Sequence, residues 1–534
     1  MFKCIKLLCF ILALLLASGA WANDFGSALE DLTNEDYGRV ASAVARISES
    51  RHPQALAVLE ALDDQALYVD QGAVVLQRGS QWLRAEDGQA VSVSSGRREV
   101  AVNNRVRRSL APALARLRLA STEVEVRRAA ATALAKGPNA SAHGVMRQAL
   151  QDEPDQEVQN ALRLGLARLD LASEEAAVRL AAVTALREIA DVSLKTELER
   201  VLSTRPDGGF AEPDARVRQQ AHEALRAIEV KTTLINFVAN TFYGLSLGSV
   251  LLLASLGLAI TFGLMRVINM AHGEMLMIGA YTTYVTQGLF ASLWPAGADW
   301  YLLAALPAAF FTCGLVGVVL ERLVVRYLYG RPLETLLATW GISLILIQSV
   351  RLLFGAQNVT VANPSWLAGG FELMPNLVMP YSRLAIIGFT IVVALLVGLL
   401  MRKTSFGLQI RAVTQNRAMA SSMGIAAQRV DALTFGLGSG VAGLGGVALS
   451  QLGNVGPELG QGYIVDSFMV VVLGGVGNLM GSVLGALGLG LLNKYLEPAA
   501  GAVLGKILIL VLIVLFIQKR PQGLFALKGR AAEI

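Results

Sequence analysis

The sequence predicts an all-α fold: a polytopic membrane helix bundle of seven to nine spans, preceded by an exported domain of stacked helices with a small β-hairpin insertion. Three observations predict it. The 534 residues are 54% hydrophobic and 16% charged, against typical values of roughly 45–50% and about 25%. That average divides unevenly, because Arg, Glu, Asp and Gln crowd residues 23–230 while residues 234–518 form long apolar runs with short polar breaks. A short apolar leader precedes both parts.

The leader, residues 1–22, reads as a secretory signal. Lys3 and Lys6 give it a positive start, residues 7–17 an apolar core too short to span easily, and Ala20-Trp21-Ala22 a small-residue cleavage site leaving Asn23 first. An uncleaved anchor is the alternative. Either way, the domain over 23–230 is carried outside the inner membrane.

In that domain, several stretches begin with an apolar residue, often followed by Arg, that opens an Ala/Leu-rich helix: 125–130, 158–169, 178–182 and 217–221. Val178, Ala182, Ala185 and Ile189 show the three- and four-residue spacing that puts one apolar stripe on a helix. The starts recur at roughly 20–40 residues, which predicts a HEAT-like stack of helix pairs. Between Ala66 and Val102 the pattern changes, with Val74, Val75, Leu76, Val91 and Val93 among polar residues and Gly, predicting the hairpin. His52, His143 and His222 are scattered, without metal or triad spacing, and read as surface residues. Such stacks bind partners, so a docking role is expected here. Cys4, Cys9 and Cys313 give no disulfide framework or metal site, and Cys313 reads as a small packing residue.

The spans are expected over 235–262, 268–290, 301–325, 333–353, 384–401, 432–452, 464–476, 480–496 and 506–517. The short, Gly-rich pair at 464–476 and 480–496 reads either as two spans or as a re-entrant pair. Charge bias sets the orientation. With the first domain outside, Arg266, then Arg322, Arg326 and Arg331, then Arg402, Lys403, Arg411, Arg417 and Arg429 all fall inside. The connection 355–382 falls outside and holds no Lys or Arg, and the tail 519–534, with Lys519, Arg520 and Arg530, returns inside. Arg351 and Arg383 run against the scheme. The formal net charge of +5 does not point to nucleic acid, because basic residues flank spans or alternate with acids. Gly436/Gly440, Gly481/Gly485 and Gly501/Gly505 have the spacing that lets helices approach closely, read here as packing within the subunit.

Four ordered motifs carry a resemblance. They are residues 263–274 (GLMRVINMAHGE), 407–435 with Arg411-Ala412, Met419-Ala420-Ser421, Gly424-Ile425 and Arg429-Val430, 472–478 (VLGGVGN) followed by Gly481, and 520–525 (RPQGLF). Together they make residues 234–525 similar to the permeases of the branched-chain amino acid and urea family of ATP-binding-cassette importers. The exported extension, and residues 269–284, look most like the urea-type branch. Arg266 departs from the pattern, where a small residue is commoner. The resemblance implies a multi-pass permease of the bacterial inner membrane with its first domain periplasmic and its C-terminus cytoplasmic. It further implies a second permease subunit, cytoplasmic ATPase subunits and a periplasmic solute-binding protein as partners.

The chain has no phosphate-binding loop: around 501–507 a Gly five residues before Gly505 and a Ser/Thr after Lys506 are missing. No cofactor is expected in this chain, and ATP is expected on partner subunits. The longest cytoplasmic loop, 402–429, has helical spacing of Leu408, Ile410, Val413 and Met419, with Gly424 as a stop. By resemblance it is the coupling helix, carried by Leu408, Ile410, Arg411, Val413, Arg417, Met419 and Gly424. An amphipathic helix at the lipid interface is the competing reading.

Urea is small and neutral, so amide, hydroxyl and backbone groups suit its passage. The pathway candidates are Asn269, Thr282, Thr283, Tyr284, Gln287, Gln348 and Asn454. Asn269, His272 and Glu274 form the densest polar cluster, expected to satisfy helix-end backbone groups at the inner mouth rather than to relay protons. The leading expectation is a urea permease; the alternatives are a branched-chain amino acid or short-amide permease, and a non-transporting membrane-anchored helical scaffold. Gly-rich, polar-dotted spans and a coupling loop argue against a mere anchor, and no nucleophile–base or metal set argues for an enzyme.

Overall fold

The computed structural model describes residues 24–525 apart from 35, 51, 80, 95, 138–139, 207, 266 and 375–376. The expected signal at 1–22, Arg266 and the tail beyond 525 lie outside the described residues. The chain divides into two units, the first reaching Thr233 and the second starting at Leu234.

In the first unit, α1 (residues 24–32), α2 (Tyr37–Glu49), α3 (Ala55–Asp63) and α4 (Asn104–Leu119) surround a core of Phe25, Leu32, Val44, Ile47, Leu59 and Leu110. Asp36 and Asn103 start α2 and α4 by accepting backbone N–H groups with their side chains. Between α3 and α4 the chain makes more than the expected hairpin. β1 (Leu67–Asp70), β2 (Ala73–Arg78), β3 (Gln81–Arg84) and β4 (Arg98–Glu99) form an antiparallel sheet in the order β3–β2–β1–β4. Gln71 and Gly72, at φ 49° and 86°, make the two-residue turn between β1 and β2. β3 and β4 are short and present exposed Gln81, Arg84, Arg98 and Glu99, so no apolar alternation marks them in the sequence.

α5 (Val124–Lys136), α6 (His143–Asp152), α7 (Gln156–Asp170), α8 (Ala176–Ile189), α9 (Lys195–Leu202) and the opening of α10 (Ala215–Met265) follow. They enclose two further cores, one around Ala131, Met146 and Leu162, the other around Leu186, Leu198, Val217 and Ala221. The recurring arginine has a repeated job. Arg127 donates to the carbonyls of Ser121 and Thr122, Arg179 to those of Ser173 and Glu174, and Arg218 to those of Glu212 and Pro213. Gln159 takes the same place, donating to Glu153 O. Each reaches back to the turn before its own helix and satisfies carbonyls that no ladder reaches. The acids Glu153 and Glu212 then pair with Arg127 and Arg179 of the preceding repeat, at 3.0 and 2.8 Å.

The second unit contains α10 from Leu234, α11 (His272–Leu293), α12 (Tyr301–Leu323), α13 (Pro332–Phe354), α14 (Tyr381–Lys403), α15 (Ser405–Gln415), α16 (Arg417–Ser422), α17 (Ala427–Ser450), α18 (Leu459–Gly474) and α19 (Leu479–Lys519). It is a polytopic helix bundle. Among the described residues, six helical segments, those of α10, α12, α13, α14, α17 and α19, are long and apolar enough to cross a membrane. The larger count expected from the sequence includes three segments outside that set. α11 is diluted by His272, Glu274, three threonines and Gln287. α18 has only 16 residues. The third arises because α19 breaks at Gly501, whose φ of 77° and ψ of 162° leave the helical region just after Pro498. Its two arms then lie side by side, with Asn493 and Leu489 of one arm and Lys506 and Ile509 of the other lining the same small cavity.

α11 and α17 form the centre on bare backbone. A side chain on Gly446 would strike the carbonyl of Leu276, and one on Gly279 would strike Gly443. Two of the three expected glycine pairs pack inside this chain, Gly436 on Gly314, Gly440 on Phe310 and Gly481 on Gly474, whereas Gly501 meets nothing within 4 Å and is instead the break in α19. The two arginines that ran against the charge scheme are both engaged. Arg351 lies 2.5 Å from Glu458, and Arg383 sits 4.9 Å over the ring of Tyr243, beside Ser246 Oγ at 3.4 Å. The connection after α13 carries a small antiparallel hairpin, β5 (Gly370–Met374) with β6 (Leu377–Pro380).

Candidate functional site

α10 ends at Met265, and residues 267–271 run non-helically through the bundle before α11 begins at His272. Irregular backbone is tolerated at membrane depth only where protein or a cavity covers it. Here α13 supplies the cover: Thr339 Oγ1 accepts Met270 N at 3.1 Å and lies 3.4 Å from Ile268 O as a donor. Asn269 Oδ1 accepts Ala271 N at 3.0 Å. His272 Nε2 donates to Ala254 O at 2.9 Å, and Ser343 Oγ donates to Glu274 Oε1. Asn269, His272 and Glu274 are all buried.

The cluster, expected at the inner mouth, lies inside the bundle and away from the end of α10. Ala254 precedes the end of α10 at Met265, by about 16 Å of helix at ~1.5 Å per residue. The chain doubles back beside α10 before α11 starts, and the apolar character of Val267, Ile268 and Met270 hides this in the sequence. Four polar atoms there, Asn269 Nδ2, His272 Nδ1, Glu274 Oε2 and Tyr281 Oη, are buried without a hydrogen-bond partner among the described residues. Unpaired polar groups at such depth are costly and mark functional interiors more often than plain packing.

The pathway candidates do not form one lining. Thr282 and Thr283 bond back to Ile278 O and Gly279 O of their own helix. Tyr284 packs against Phe354, and Gln287 donates to Ala362 O in the connection after α13. Gln348 and Asn454 are exposed. Only Asn269 shares the interior cluster. The residues that sequence reasoning missed are Thr339, Ser343 and Tyr281. The first two had a signal: Thr335, Thr339 and Ser343 are a buried polar stripe at four-residue spacing along α13.

The segment expected to form the coupling helix is two helices, not one. Thr404 caps α15 by accepting Gly407 N, and Asn416, in extended conformation, caps α16 by accepting Met419 N. The expected apolar face therefore splits. Ile410 and Val413 are buried against the bundle, whereas Leu408 and Met419 are 61% and 60% exposed. Arg411 donates to Met401 O, Gly424 adopts φ 88° after α16, and Arg417 reaches Asp431 of α17. A cavity of about 180 Å³ opens there, lined by Leu264, Met265, Ile410, Val413, Arg417 and Asp431 among others.

The four sequence motifs meet at this end of the bundle. Gly263 and Gly477 approach so closely that a Cβ on the former has no room. Leu473 O and Gly474 O accept the amides of Leu524 and Phe525 at 2.8 and 3.3 Å. The cavity joins the first motif, through Leu264 and Met265, to the second.

A family model described as the permease component of branched-chain amino acid transport systems matches residues 240–517. The high-affinity branched-chain amino acid transport system permease protein BraD of Pseudomonas aeruginosa is 28% identical over 297 residues, covering 54% of this chain and 96% of that one. The corresponding LivH protein of Salmonella typhimurium is 32% identical over 297 residues, covering 54% and 95%. An autoinducer 2 import system permease, LsrC of Salmonella paratyphi B, is 34% identical over a shorter stretch of 105 residues, 30% of its length. The match takes in over half of the chain and nearly the whole of the first two relatives, so this chain belongs to the branched-chain amino acid transport permease family.

Proposed function

We propose that this chain is a membrane-spanning permease subunit of an ATP-binding-cassette importer for a small polar solute. The match to transport permeases over nearly their full length carries the reading. In the proposed assembly a second permease completes the pore, cytoplasmic subunits hydrolyse ATP and a solute-binding protein delivers the solute. The first unit stands outside the cell membrane behind an export signal, and the C-terminal tail lies inside. In the proposed cycle α15 and α16 receive the motion of the ATPase, and the buried cluster around Asn269, His272 and Glu274 holds the discontinuity between α10 and α11.

The names of the relatives favour branched-chain amino acids as the solute. A second reading, urea, is favoured by one observation: the family model starts at residue 240, so the whole first unit falls outside it. That extension, with the wording of residues 269–284, is what made the chain look like the urea-type branch. Uptake of labelled leucine and labelled urea into membrane vesicles carrying the complete importer separates the two. Loss of leucine uptake when this subunit is deleted supports the amino-acid reading. Loss of urea uptake, unaffected by excess leucine, supports urea. Loss of neither removes both solutes as candidates.

A further inference from the structure

Arg417 is the first residue of α16, and its guanidinium Nη2 lies 2.6 Å from Asp431 Oδ2 on α17. The same guanidinium sits 4.8 Å over the ring of Tyr329, and Tyr329 Oη donates to Glu321 Oε1 of α12 at 3.4 Å. The two partners differ in setting. The side chain of Arg417 is 46% exposed, that of Asp431 only 5%. A carboxylate so enclosed depends on its cation, and removing one member of a buried pair costs more than the pair itself contributes.

From these relationships we infer that Arg417 and Asp431 form a transmission latch, a positioning pair that ties the coupling segment to the bundle centre. The inference rests on the proposed importer function. α15 and α16 hold the bundle mainly through Ile410, Val413 and Ala420, all apolar and able to slide. Arg417 is different, because its charge pairs with the enclosed Asp431 carboxylate while its planar group lies over the Tyr329 ring. α17, which carries Asp431, packs by bare glycine backbone against α11, the helix that opens with His272 and carries Glu274 in its first turn. A displacement of α16 that keeps the pair intact must therefore carry α17, and α17 cannot move without α11. Through Tyr329 and Glu321 the same guanidinium also touches α12. The cavity beside the pair leaves room for the side chains to shift while staying in contact.

The test uses the complete importer in proteoliposomes and reads solute imported per ATP hydrolysed, normalised to assembled complex. Arg417→Ala and Asp431→Asn are each expected to lower that ratio at least about fivefold. The double exchange Arg417→Asp with Asp431→Arg restores the pair in reverse and is expected to recover most of the loss, which a merely structural role of either side chain would not produce. Arg417→Lys keeps charge without the planar stack and should fall between. Single variants with the wild-type ratio, or a double exchange no better than the singles, overturn the latch. A wild-type complex without ATP-dependent uptake refutes instead the importer reading on which the latch rests.

Discussion

His272 Nε2 donates to the carbonyl of Ala254 at 2.9 Å, fixing the start of α11 against α10 well before that helix ends at Met265. The imidazole is fully buried, and its other nitrogen has no partner among the described residues. It acts as a strut where the chain lacks helical hydrogen bonds. His272→Ala removes the donor and leaves a void, so thermal unfolding of the detergent-purified chain should show a loss of about 2–3 kcal/mol. His272→Gln, which keeps a donor, should lose less. Equal stability of the alanine variant and the native chain would contradict the strut.

Glu274 and Ser343 join α11 to α13 in the same region. Ser343→Ala leaves the carboxyl with neither oxygen satisfied by the described residues, at an expected cost of about 1–3 kcal/mol. Combining it with Glu274→Gln should recover part of that loss, because an amide is easier to keep buried than an unpaired carboxyl. Thermal unfolding of the two single variants and the double variant gives the coupling; simple additivity would contradict direct pairing.

Gly446 leaves no space for a Cβ against the Leu276 carbonyl. Gly446→Val should therefore force α17 away from α11 and abolish recovery of folded protein by size-exclusion chromatography. Gly488, which meets nothing within 4 Å, is the control: Gly488→Ala should behave as wild type. Both variants folding equally well would contradict the backbone contact.

Arg179 holds the Glu212 carboxyl below the usual carboxylate range, chiefly by hydrogen bonding, against an opposing effect of burial. A depressed carboxylate stabilises the fold above its ordinary titration range and loses that contribution as pH falls through the lowered value. Hydrogen-exchange protection of α8 and α9 should thus weaken on acidification. Arg179→Ala should weaken it already at neutral pH, by about 3 kcal/mol, and flatten the acid dependence. An unchanged acid profile in the variant would contradict the assignment.

Ala190 ends α8 at φ 46° and ψ 51°, a left-handed cap in a residue with a Cβ. Ala190→Gly should stabilise the first unit by about 1 kcal/mol, measured by the same exchange experiment on α8.

How much of this was legible in the sequence depended on whether a feature leaves an apolar signature. α13 and α14 were plain, since unbroken apolar runs of spanning length have few other uses. The arginine repeats were visible as a pattern, but their purpose, capping carbonyls six residues back, was not. The entry to α11 was hidden because Val267, Ile268 and Met270 look like more helix, while their backbone is held by Thr339 from a distant segment. Asn416 was the readable warning that the coupling segment breaks, since its side chain suits a helix start better than a helix interior. The pathway candidates failed to converge because Thr282 and Thr283 answer to their own helix, something periodicity cannot distinguish from a lining. Asp431 falls just ahead of the span expected from residue 432, beside Gln428 and Arg429, where nothing in the sequence marks it as enclosed and paired with Arg417.

In the proposed function this membrane unit works as a permease driven by ATP hydrolysed elsewhere. The most direct measurement reconstitutes the complete importer in proteoliposomes, with and without this subunit, and follows labelled leucine and labelled urea with ATP supplied on the ATPase side. Concentrative, ATP-dependent uptake of one of them is expected only when this subunit is present. Uptake that is equal without it, or that proceeds without ATP, would contradict the account.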